Sequence, residues 1–83
     1  MDQSRDISSA QIKAARALLG LSQDDLASEA GIARKTLYEM ENGSVVRVSN
    51  LSAVRGVLEA RGLLFVVHEG RAGVLGPRGN LRT

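Results

Sequence analysis

Eighty-three residues with no cysteine and a single histidine fit one small domain and exclude a disulfide framework or a thiolate metal site. No apolar run approaches the roughly 18 residues that span a bilayer, and the polar opening Met1 to Asp6 has no apolar stretch behind it that would make a secretory signal. The net charge is only +2, but three cations face five anions in residues 1–32 and eight face four in residues 33–83, an asymmetry that fits a nucleic-acid face as well as an ordinary solvated surface.

Residues 1–7 read as a flexible arm. Ser8 or Ser9 caps a first helix, and Ser8 with Gln11 has the capping-box spacing. Ile12, Ala15 and Leu19 recur at helical spacing up to Gly20, a C-terminal stop. Ser22 caps a second helix with Asp24 and Asp25 in its first turn, where anions suit the helix dipole; Leu26, Ala27 and Ala30 form its apolar face and Gly31 ends it. A third helix spans 33–41, buries Leu37 and Met40, and stops at Asn42-Gly43. After a loop over 44–48, Ser49 or Asn50 caps a fourth helix carrying Leu51, Val54, Val57 and Leu58, with Gly62 past its end. Gly56 inside it costs about 1 kcal/mol relative to alanine and reads as a mark of close packing. Composition then shifts: residues 63–67 are β-branched and aromatic and read as a strand, and Ala72 to Leu75 is a second strand returning through Glu69-Gly70-Arg71. Residues 77–83 form a basic tail with Arg78 and Arg82. Gly70, Gly73, Gly76 and Gly79 recur every third residue, too few for a collagen helix and with no phosphate-loop Lys-Ser/Thr behind them, so they read as turns and bulges.

The stretch from Ser22 to Gly43 has the layout helix, tight turn, helix. Ala27 is small where two helices cross, Gly31 supplies the left-handed residue and Ile32 plugs the junction. The third helix then breaks a local rule, since Arg34 and Lys35 occupy its N-terminal turn, where each cation is unfavourable by a few tenths to about 1 kcal/mol. Local preferences are broken where function requires it, and cations at this end suit a helix entering a DNA major groove. Arg34 and Lys35 can donate to guanine O6 and N7, Thr36 can touch a thymine methyl, and Glu39 can accept from cytosine N4. Lys35 and Glu39 are also spaced for a plain surface pair, and Tyr38 suits either packing or a phosphate.

These residues carry a resemblance. Leu-Ser-Gln-Asp-Asp-Leu-Ala, then Ala-Gly-Ile, then Thr-Leu-Tyr-Glu-Met-Glu-Asn-Gly is similar to the Cro/phage-repressor (XRE-type) helix-turn-helix family, and the resemblance covers residues 11–62. It implies a mainly α, lambda-repressor-like bundle of four helices, here over residues 8–62 and followed by a C-terminal strand or hairpin over 63–76. It also implies a dimer bound to an inverted-repeat operator of double-stranded DNA, usually near its own promoter and often in phages and mobile elements. By the same resemblance Gln23 contacts phosphate and bases, Arg34, Lys35, Thr36 and Glu39 read bases, and Asn42, Gly43 and Ser44 form a loop whose backbone N–H groups and side chains hold phosphate. Arg16 and Glu41 match a buried ion pair between the first and third helices. Ala33 departs from the family's hydroxyl or amide cap, and the strand-like segment departs from the fifth helix that many members carry.

A chain of this size buries only about 60–65% of its unfolded surface, which makes dimerisation a natural source of core. A lone strand leaves open edges, and pairing with a symmetry mate would close them. Leu63, Leu64, Phe65, Val66 and Val67 are therefore the expected dimer interface, the alternative being a strand that covers the protomer's own core. A cysteine-free chain suits the cytoplasm. No cofactor, metal, small-molecule ligand or membrane is expected as a partner: His68-Glu69 has no second ligand at metal spacing, and no acid pair or cofactor motif supports an enzyme. The competing class is a partner-binding module such as a DNA-binding antitoxin, which usually carries a longer extension than the roughly 20 residues here.

Overall fold

The computed structural model describes residues 7–78; the expected arm over 1–6, Gly79 and the tail with Arg82 lie outside them. Four helices precede a hairpin: α1 (Ser9–Leu19), α2 (Gln23–Ala30), α3 (Arg34–Glu41), α4 (Val48–Ala60), β1 (Leu64–His68) and β2 (Arg71–Leu75). The first two helices start on reciprocal capping boxes. Ser8 Oγ accepts from the Gln11 N–H at 3.1 Å while Gln11 Oε1 accepts from the Ser8 N–H at 2.8 Å, and Ser22 with Asp25 repeats the exchange. All four helices stop alike. Gly20, Gly31, Gly43 and Gly62 each adopt positive φ, and the N–H groups of each glycine and the residue after it return to last-turn carbonyls in the Schellman pattern.

Two boundaries and one interior glycine differ from the sequence expectation. Ile7, placed in the arm, is buried in the core; with Ser8 as N-cap it takes the position before the cap and Ile12 the fourth helical one, the arrangement of a hydrophobic staple. α4 begins at Val48, ahead of Ser49 and Asn50. The Arg47 carbonyl accepts from both Asn50 and Leu51 at 3.1 Å, and Val46 and Leu51 pack on the core, so apolar anchoring starts this helix without a side-chain cap. Gly56 is exposed with nothing within 4 Å of an added Cβ, so close packing does not explain it.

Ile12, Leu26, Leu37, Val54 and Leu58 are the largest fully buried side chains, each contributing about 1.5–3 kcal/mol by leaving water. Ala15 and Ala27 are buried among them, while Leu19, Ala30 and Val57 are only partly covered. Arg61 Nε donates to Glu29 Oε1 at 3.0 Å, tying the end of α4 to α2.

The C-terminal strands pair within the protomer. β1 and β2 run antiparallel, with Leu64 opposite Leu75, Val66 opposite Gly73 and His68 opposite Arg71. Glu69 and Gly70 connect them at φ 52° and 76°, positive at both central residues as a type I′ turn demands. The register runs through Gly73 without the bulge expected there. Phe65 and Val74 pack against the helical core, and Gln11 Nε2 donates to the Gly73 carbonyl at 2.9 Å, anchoring the hairpin to α1. Pro77 lies over Gly62, where an added Cβ would come within 3.2 Å of the proline Cβ.

Within the protomer the five residues expected at a dimer interface divide between core and surface. Leu63 is a core residue at 4% exposure, and Phe65 faces its own core with the Arg55 guanidinium 5.6 Å from its ring centroid. A continuous apolar run does not announce which of its members face inward; pairing with β2 sets the alternation. Leu64 and Val67 are exposed while Phe65 and Val66 are half-buried, and Leu75 joins Leu64 on the outer face.

Candidate nucleic-acid interface

α2 and α3 meet through a tight connection. Gly31 at φ 71° turns the backbone, the Ile32 N–H donates to the Ala27 carbonyl at 3.0 Å, and the Ile32 side chain packs on the core. Ala27, small and buried, leaves room for the crossing. α3 then holds on through Leu37, Met40 and Glu41, all buried. Its opposite face carries Arg34, Lys35 and Tyr38, which line a shallow cleft of about 320 Å³. Thr36 and Glu39 flank that stripe and are half-buried, so the four expected base readers and Tyr38 are not equivalent: three of the five stand clear of the surface and two lie at its margin.

Charge at this end of α3 follows from what is missing. Ala33, the N-cap, makes no side-chain bond, and no acid occupies the first turn. The first N–H groups of the helix and two cations therefore share one end. Arg34 Nε lies 3.2 Å from Asp24 Oδ1, with the two side chains 66% and 77% exposed. Lys35 and Glu39 form no ion pair among the described residues.

A buried network fixes the three helix ends behind this surface. Arg16 Nε donates to Glu41 Oε2 at 2.6 Å and Nη2 to Oε1 at 3.0 Å, a bidentate pair, while Nη1 donates to the Leu21 carbonyl at 3.0 Å. Gln23 Nε2 donates to the same Glu41 Oε1 at 3.0 Å, so the glutamine expected at DNA is held by an internal acceptor. Burial pushes the Glu41 carboxyl upward, but hydrogen bonds from Arg16 and Gln23 and the nearby charges of Arg16 and Lys13 outweigh it, and the group lies below the usual carboxylate range. The Arg16 guanidinium is raised, chiefly by its hydrogen bond to Glu41. No buried side-chain polar atom among the described residues lacks a partner.

The loop after α3 differs from the expectation in its donors. The Gly43 N–H returns to the Met40 carbonyl at 3.3 Å and the Ser44 N–H to the Glu39 carbonyl at 3.0 Å, so both are engaged by the helix they terminate. Asn42 Nδ2 donates to the Tyr38 carbonyl at 2.8 Å. What stays open to a phosphate is the Ser44 hydroxyl, the second amide hydrogen of Asn42, and the uncapped start of α4 beside Arg47. Arg47 and Asp24 are the two residues that sequence reasoning does not assign here. Arg47 is legible as a cation just past the recognition segment; the contact of Asp24 with Arg34 depends on how the turn folds α2 against α3.

Residues 12–60 match the family model described as Helix-turn-helix. No individual curated protein matches the chain.

Proposed function

Because that match covers more than half of the chain, the protein belongs to the Cro/phage-repressor (XRE-type) helix-turn-helix family of DNA-binding regulators, and we propose that it acts in the cytoplasm as a dimeric, sequence-specific repressor and autoregulator. The carrying observation is the exposed stripe Arg34, Lys35 and Tyr38 on a helix whose other face is buried through Leu37, Met40 and Glu41. Such a helix presents cations and a polar aromatic to a groove without disturbing the core. Arg34 and Lys35 meet guanine edges or phosphate, Tyr38 meets phosphate, and Thr36 and Glu39 contact bases at the margin. Gln23, Asn42, Gly43 and Ser44 border the backbone contacts, with Gly43 shaping the loop and Asn42 and Ser44 offering side-chain donors.

Dimerisation places two copies of α3 in successive major grooves about 34 Å apart. The hairpin supplies its surface: Leu64 and Leu75 are large, apolar and exposed on the outer face, with Val66 beside them and Val67 near the turn. Repression follows from occupying a promoter and excluding polymerase. The outer face of α2, with Asp24, Asp25 and Glu29, is the surface available for activation.

The test is a gel-shift titration on the DNA upstream of the protein's own reading frame, with a random duplex as competitor. Nanomolar binding that weakens out of the nanomolar range in Arg34→Ala supports the autoregulator. Equal, salt-sensitive binding to both duplexes reduces the surface to an electrostatic platform. Absence of binding to either moves the antitoxin or other partner-binding module to first place, a reading that the exposed apolar hairpin face also fits.

A further inference from the structure

The first turn of α2 carries two adjacent acids with different partners. The Asp25 carboxylate accepts from the Ser22 N–H at 3.2 Å and closes the capping box. Asp24 takes no part in that cap; its partner is Arg34, whose Nε lies 3.2 Å from Asp24 Oδ1 across the turn. The contact is an exposed ion pair and not a hydrogen bond, and no guanidinium N–H of Arg34 donates to a partner among the described residues. With Nε the nitrogen nearest the carboxylate, the two Nη groups stay available as a fork, the geometry that matches O6 and N7 of one guanine.

We propose that Asp24 is a specificity-determining residue of the interface: its contact with Arg34 Nε favours use of that arginine on a guanine edge and disfavours its use on the DNA backbone. The inference rests on the DNA-binding reading. Its physical basis is a difference between two targets. A guanine edge carries only partial negative charge at O6 and N7, so the carboxylate beside Arg34 costs less there than beside a full anion. A phosphate reached by the same arginine is drawn toward Asp24, and the two anions repel. An acid beside a reading arginine therefore weakens backbone binding, which is common to all sequences, more than it weakens the base contact.

The experiment is a selection from a random-sequence duplex library with wild type, Asp24→Asn, Arg34→Ala and the double variant, followed by titration of each on the selected and on a random duplex. Asp24→Asn is expected to bind the random duplex about two- to fivefold more tightly, the range of an exposed ion pair. Its preference for guanine at one position should relax by a similar factor, with the melting temperature unchanged. In the Arg34→Ala background the same substitution should leave base preference unaltered. Asp24→Asn selecting as sharply as wild type, or shifting base preference equally with and without Arg34, overturns the role of Asp24 alone. Wild type enriching no sequence at all overturns the DNA-binding reading, and this role with it.

Discussion

Replacing Arg16 by methionine tests the buried network most directly. The change keeps much of the side-chain volume and removes three donors, leaving Glu41 at 2% exposure with only Gln23 as a hydrogen-bond partner. Breaking a buried pair from one side costs about 3–5 kcal/mol. Arg16 itself is 22% exposed, so the converse change, Glu41→Gln, strands a cation that water and the Leu21 carbonyl can still reach, and about 1–3 kcal/mol is expected. For a domain of 83 residues, whose whole stability is on the order of 4–12 kcal/mol, the first substitution is close to disabling and the second is tolerable. Urea titration followed by far-ultraviolet circular dichroism measures both. The pH dependence separates this mechanism from loss of packing. In wild type the folded pKa of Glu41 is lowered, so its contribution is fully present above the unfolded carboxylate pKa of about 4.3 and is lost as pH falls through the folded value. In Arg16→Met the unpaired, buried carboxyl is raised instead, so its penalty is greatest near neutrality and fades once acid protonates it. The gap between variant and wild type should therefore narrow from pH 7 toward pH 4. A gap below about 1 kcal/mol, or one constant with pH, would show that the pair is screened by solvent and would refute the reasoning.

Gly56→Ala should stabilise the protein by about 1 kcal/mol, since the glycine lies in a helix interior and its added methyl meets open space; thermal melting should rise by about 4–8 °C. Glu69→Asn should add roughly 0.5–1 kcal/mol, because Glu69 holds φ 52° in the hairpin turn and asparagine adopts that region more readily; a melt of the variant reads it. Leu64→Glu should yield a folded monomer in analytical sedimentation, whereas Leu63→Glu, at a core position, should fail to fold. A dimer that survives Leu64→Glu would remove the hairpin's outer face from the interface.

Signals that act within a few residues are legible in the amino-acid sequence itself. Ser8 with Gln11 and Ser22 ahead of two acids announce helix starts, and Gly20, Gly31 and Gly43 announce stops, because caps and left-handed turns draw on their own segment's atoms. The helix-turn-helix layout follows from these, as does the split of α3 into buried Leu37 and Met40 and an outward cationic face. Features set by distant partners are not legible in this way. Ile7 is a single apolar residue in polar surroundings, and only its packing with the core takes it out of the arm. The Gln11 amide finds the Gly73 carbonyl 62 residues away. Leu63 and Phe65 look like their neighbours until β2 fixes which face of the strand turns inward. The start of α4 differs from its sequence signals for the same reason, since Val46 and Leu51 packing on the core outweighs the caps that Ser49 and Asn50 advertise.

The recognition helix is delimited by main-chain devices on both sides. It opens on Ala33 without a side-chain cap, and it closes where the Gly43 and Ser44 N–H groups return to its own carbonyls. Nothing in that frame depends on the identity of Arg34, Lys35 or Tyr38, and exchanges at surface positions of this kind usually change stability by no more than about 0.5 kcal/mol. The segment therefore behaves as an interchangeable cartridge. On the proposed function, a descendant can acquire a new operator through two or three codon changes on one helix, while the scaffold that presents it is inherited untouched.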